Sequence, residues 1–195
     1  MRLLRNLLAL VGLLALLAIG GLILVLEPYV YKAHSLDEAA LAVYSGAART
    51  ILATGDPTAA LVYQRRVADG LAVADVEIAL GRVAEAADLH TLGALSVDRQ
   101  VRNQAGVEFP FLKIYLFCDP QLAADLIRHT TAMAAFLPCR IILHEDERGG
   151  LWLMTPNLDL VIHGGRPLPI ALQERALGLQ STLREIVDRA AAGQA

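Results

Sequence analysis

Two cysteines, Cys118 and Cys139, and five dispersed histidines are the side chains of this 195-residue chain best suited to thiol, metal or redox chemistry. Each cysteine borders an apolar run, "FLKIYLFC" on one side and "CRIIL" on the other. Three readings stand open: two small thiols buried in packing, a disulfide between Cys118 and Cys139, or a small-molecule, metal or redox site. His129 follows the helix expected between the cysteines, and His144 ends the run that Cys139 begins. A site drawn from Cys118, Cys139, His129 and His144 would offer soft and borderline ligands of the kind zinc takes. The spacing is not that of a sequence-encoded metal site, so these four are weak candidates and no cofactor is expected. Histidines at element ends are the plainer reading.

Other chemistry-bearing stretches are weaker still. "HEDERGG" sets Glu145, Asp146 and Glu147 in a row, and carboxylates in a row can bind hard cations. Its place between two apolar runs reads instead as a charged, solvated hairpin tip. "YQRR" and "RQVR" could pair with an anionic ligand or lipid, but read as solvated faces. The chain has no Gly-rich phosphate loop, no nucleophile elbow and no HExxH. No Ser, His and Asp fall in a recognisable catalytic order. No catalytic residue is assigned, and the expectation is a protein that is not an enzyme.

The first 32 residues point to a location. "MRLLRNLLALVGLLALLAIGGLILVLEPYVYK" has two arginines and then no charge from Leu7 to Leu26. Twenty helical residues at about 1.5 Å each reach about 30 Å, the thickness of a bilayer's hydrocarbon core. A cleaved signal peptide is the alternative, with Ala18-Ile19-Gly20 as its processing site, but the apolar run continues past it. Tyr29 and Tyr31 follow at interfacial depth. Arg2 and Arg5 before the span, against Glu27, Asp37 and Glu38 after it, predict a cytoplasmic N-terminus. Residues beyond the span would then be extracytoplasmic, in the periplasm if the source is a Gram-negative bacterium with this anchor in its inner membrane.

Beyond residue 26 the balance is acidic, 15 basic against 20 acidic side chains, which argues against a nucleic-acid partner. The expected boundaries are a cytoplasmic 1–6, a transmembrane 7–26, a juxtamembrane linker helix in 27–57 and one domain over 58–192. In the linker, Ser35 and Glu38 suggest a capping box, and Gly55 and Pro57 a stop. "ALVYQRRVADG" predicts a first strand and "DVEIALGRVAEAADLH" a helix capped by Asp75. "HTLGALSV" suggests a weaker strand, followed by a polar connection, "DRQVRNQAGVEFP". "FLKIYLFC" is a strong strand. Asp119 and Pro120 begin a helix as N-cap and first helical residue. "CRIILHEDERGGLWLM" is a hairpin, "PNLDLVIHGG" a further extended piece, and "LPIALQERALGLQSTLREIVDRAAAG" a long amphipathic helix. Runs of strands with helices between and after them predict a two-layer α+β fold with a mostly antiparallel sheet. Trp152, between Leu151 and Leu153, is a candidate for core or interface packing.

Cys118-Asp119-Pro120, then Leu137-Pro138-Cys139-Arg140, then "IILHEDERGGLWLM" make a familiar order of motifs. Over about residues 60–190 the chain resembles the bacterial and archaeal family called "domain of unknown function 302". That family has Cys-Asn-Pro, a helix, Leu-Pro-Cys-Asn, a strand, an acidic-glycine turn and another strand. The helix at Asp75–Leu89 and the approach Gly106-Val107-Glu108-Phe109-Pro110 also fit. Asp119 and Arg140 stand where the family has asparagines. The resemblance implies a TATA-binding-protein-like domain with helices on one face of an antiparallel sheet, and it implies no activity. Antiparallel strands would put Cys118 and Cys139 at the same sheet end, whereas parallel strands would hold them roughly 15 Å apart. The functional expectation is a single-pass, non-enzymatic accessory or interaction subunit of a larger membrane complex, such as an energy-transducing one. Its partners would be membrane lipid and other membrane-protein subunits.

Overall fold

The strand-forming runs assemble as their patterns require. In the computed structural model, which describes residues 2–194, strands β1 (Val62–Arg66), β2 (His90–Ser96), β3 (Leu112–Cys118), β4 (Cys139–Glu145) and β5 (Leu151–Pro156) form one sheet. Its order is β1-β5-β4-β3-β2, antiparallel throughout. Alternation assigns the faces. Tyr115, Phe117, Ile141, Leu143, Leu153 and Thr155 are buried, while Ile114, Leu116, Ile142 and Met154 between them stay partly open.

The buried face is roofed by helices α3 (Val73–Ala86) and α7 (Ile170–Ala191). Leu183, Ile186, Val187 and Ala190 of α7 and Val76, Leu80 and Val83 of α3 complete the main core. A smaller core lies beside it, where Leu122 and Leu126 of α5 (Pro120–His129) meet Ile162, Leu168, Leu172 and Ala176. The expected α+β class and one-sided helical layer are those observed.

Several local expectations need correction. The "polar connection" after β2 contains helix α4 (Val97–Ala105). No apolar period marks it. It is held instead by Asp98, 3 % exposed, whose carboxylate pairs with Arg102 at 2.6 Å, while Arg102 also donates to the Phe109 carbonyl. "PNLDLVIHGG" is not extended but forms the short helix α6 (Asp159–His163), whose first N–H donates to the Asn157 side chain. Asp75 is not the N-cap of α3; it is the third residue of the helix and accepts from the Ala72 N–H at 2.9 Å.

Helix α1 runs from Arg2 to Ala33, with a candidate span at Leu8–Ala33 of mean hydropathy 2.9. It is long and apolar enough to cross a membrane, and none of that span is buried against the rest of the chain. Leu26, Tyr29 and Tyr31 are exposed. The side chains of residues 2–4 and of Leu7, named above as the start of the span, lie outside the described residues. After α1, helix α2 begins only at Ala40 and ends at Thr54. The Ser35–Glu38 capping box does not form. Ser35 donates to the Lys32 carbonyl, and Asp37 accepts from the Ala39 N–H at 2.8 Å. Asp37 prevails because the domain also engages it: its carboxylate meets His163 Nδ1 at 3.1 Å and accepts from Gln173 at 2.7 Å.

Candidate functional site

The cysteine end of the sheet is built by the Asp119 cap. Its carboxylate accepts from the Leu122 N–H at 2.9 Å, starting α5 directly after Cys118. Strand register pairs Phe117 with Cys139, so Cys118 lies one residue beyond that pair at the same sheet end. Both residues are free thiols, Cys139 buried and Cys118 half-buried, and no disulfide joins them. Burial, reinforced by the nearby Cys118, pushes the Cys139 thiol up to about 11 against the pull of Arg140. Burial and Asp119 raise Cys118 as well. Thiols held protonated at neutral pH are poor nucleophiles and poor ligands.

The four ligand candidates are not brought together. His144 is five residues along β4 from Cys139, about 17 Å at strand rise. It sits opposite Leu112 and Trp152, with Nε2 buried and unpartnered among the described residues. His129 ends α5, nine residues past Pro120, so the helix carries it about 14 Å from its start. Among the described residues no three His, Cys, Asp or Glu side chains gather as a metal set.

The acidic hairpin resolves into a single structural clamp. Asp146 accepts from the N–H groups of Arg148 (2.9 Å) and Gly150 (2.8 Å) and from the Trp152 indole (2.9 Å). The Trp152 bond, then the Gly150 N–H, hold the Asp146 carboxyl below the usual range. Trp152 is thereby fixed on the half of the sheet that α3 and α7 leave uncovered, two residues from Met154.

That uncovered face holds a feature the linear sequence does not display. Val62, Arg140, Ile142, Met154 and Pro156 meet α6 and the 3₁₀ turn Thr131–Phe136 around a cleft of about 760 Å³. Met133, Phe136, Leu160 and Val161 form its far wall. The lining is almost wholly apolar, and its one charged side chain is Arg140. Among the described residues the Arg140 guanidinium has no hydrogen-bond or ion-pair partner, whereas Arg102, Arg175 and Arg184 are each paired with an aspartate. The backbone of Arg140 is fixed, its carbonyl accepting from Thr155 Oγ1 at 3.0 Å. Five segments contribute to the cleft, so no motif could announce it. The only sequence signal was the arginine placed after Cys139.

A five-stranded antiparallel sheet with helices on one face, preceded by a helix of membrane-spanning length, defines a two-layer α+β domain with a candidate anchor. The chain belongs to the family described as "Domain of unknown function DUF302", which matches residues 63–190. It is similar in fold to an uncharacterized conserved protein DUF302 from Bacillus stearothermophilus, known from a crystal structure. The TM-score is 0.55 at 21% identity, covering 67% of this chain and 98% of that one. No functionally curated protein matches the sequence.

Proposed function

We propose that this protein is a single-pass membrane protein that holds its DUF302 domain on the extracytoplasmic side and acts there by binding. In this reading it is a non-enzymatic accessory subunit of a larger membrane assembly, of the energy-transducing kind. One observation carries it: a long, mostly apolar helix that the other described residues do not cover, followed within four residues by a carboxylate bound to the domain. An exposed apolar surface of that length requires lipid or a partner's helices. The arginines before it and the acidic residues after it favour a cytoplasmic N-terminus and, in a Gram-negative bacterium, a periplasmic domain.

Contact with other membrane-protein subunits would run through α1 and the edge strand β2, where Leu92 and Leu95 are exposed. A bulge between Thr91 and Gly93 turns Leu92 outward, and Gly93 takes it up with φ +146°, a backbone state open to glycine. Trp152 offers a second contact on the uncovered face. The alternative, a thiol-based redox or metal module, is disfavoured by the raised pKa of both cysteines and the distance to the histidines.

Purification of the tagged full chain in mild detergent tests the proposal. The expected result is a stoichiometric membrane-protein partner that is lost on Leu95→Glu. A monodisperse lone protein, or a partner indifferent to that change, would contradict it.

A further inference from the structure

We infer that the cleft on the uncovered sheet face binds a single-chain amphiphile with a carboxylate head, a long-chain fatty acid, whose head pairs with Arg140. The inference deepens the binding role proposed above and takes from it only the nearness of lipid.

The charge pattern is the first argument. A half-buried guanidinium beside an apolar cleft, with no counter-charge from the described residues, is complementary to an anionic head whose tail takes up the apolar lining. A carboxylate satisfies it best, because guanidinium and carboxylate pair through two parallel hydrogen bonds. The opposite wall, Met133, Phe136, Leu160 and Val161, has nothing to offer a second charge. It suits methylene groups, and Met133 and Met154 have side chains flexible enough to follow an alkyl chain.

Size is the second. The cleft holds about 760 Å³, within the range of small-molecule sites. At about 30 Å³ per liquid-packed group of water size, that is room for about 25 non-hydrogen atoms. That accommodates one acyl chain with its head.

Position is the third. Asp37 follows the end of α1 by four residues, at most about 14 Å of chain, and its N–H donates to the Gly165 carbonyl at 2.9 Å. Gly165 lies just past α6, whose Leu160 and Val161 line the cleft. The cleft therefore lies near the point where α1 would leave the bilayer, and a fatty acid partitioned into lipid has a short path to it.

The test uses the full chain in phosphatidylcholine nanodiscs with a diazirine-bearing palmitic acid, followed by mapping of the labelled peptides. Label in α1 reports the probe dissolved in the bilayer and serves as the internal standard. The expected result is label in peptides containing Met133, Phe136, Ile142 or Met154, competed by palmitate and much less by hexadecanol. Arg140→Ala should lower the domain-to-α1 ratio by about tenfold, the size of one charge-assisted pair, and Arg140→Lys, which keeps the charge but not the two parallel hydrogen bonds, should fall between the two. Circular dichroism of both variants separates loss of the head-group partner from loss of fold. Label confined to α1, equal competition by hexadecanol, or a ratio unchanged in a folded Arg140→Ala protein would overturn the inference. Persisting label in α1 would leave the anchor reading standing.

Discussion

At the scale of single residues, the cysteine chemistry suggested by the sequence gives way to packing. Cys139 is 6 % exposed in the main core, and its thiol is raised to about 11. The folded protein should therefore alkylate at Cys139 only slowly at pH 8, with the rate climbing towards pH 11, while Cys118 reacts first. Mass-resolved iodoacetamide labelling checks this, and rapid modification of Cys139 at pH 8 would contradict it. Because the folded pKa is raised, this thiol's stabilising contribution is complete below its unfolded value of about 8.5 and is lost as pH rises through the folded one. The identities of Cys118, Asp119 and Cys139 were legible because each sits at a boundary between patterns. The place of Arg140 in an apolar cleft was not, since it depends on Met133, Phe136 and Val161, which join it only after folding.

At the scale of elements, whatever carried a period was readable, and whatever was held by polar contacts was not. β3, β4 and α7 announce themselves through apolar alternation or helical spacing. α4 and α6 do not, because an Asp98–Arg102 pair and an Asn157 cap do the work that an apolar stripe does elsewhere. The linker shows the same division. Its helix was foreseeable, but its docking was not: Asp37 joins His163 and Gln173 across more than a hundred residues, and Tyr44 donates to the Gly164 carbonyl at 2.6 Å. Asp37→Ala would leave His163 and Gln173 without this partner and should weaken the attachment of α2 by about 1–3 kcal/mol. Hydrogen exchange should then quicken in α2 and α6 while β3 and β4 keep their protection. Unchanged exchange in α2 would show that the clamp is not what holds it.

At the scale of the whole molecule, a network of carboxylates ties linker, helices and sheet together. Asp37 is held low by the Ala39 N–H, opposed by burial and aided by Gln173 and His163; Asp125 is held low chiefly by Arg175. Burial pushes Glu77 and Asp159 up, but Lys113 and Tyr115 in one case and Gln180 and Arg184 in the other bring them below the usual value. With folded values lowered, the unfolded chain takes up protons first as pH falls. Their stabilising contribution is thus complete above about pH 4.5 and drains away through the lower folded values. The thermal midpoint should be steady from pH 7 to 5 and fall below pH 4.5; a midpoint unchanged at pH 3 would contradict the network. The central claim, however, concerns placement: a folded domain held outside the cytoplasm by α1. Protease added to intact spheroplasts tests it most directly. The account predicts that the domain is digested from outside, that the untreated full-length chain resists carbonate extraction from the membrane, and that its N-terminus still precedes Gly20. A domain protected in spheroplasts and cut only after lysis, or a soluble chain beginning after Gly20, would contradict it.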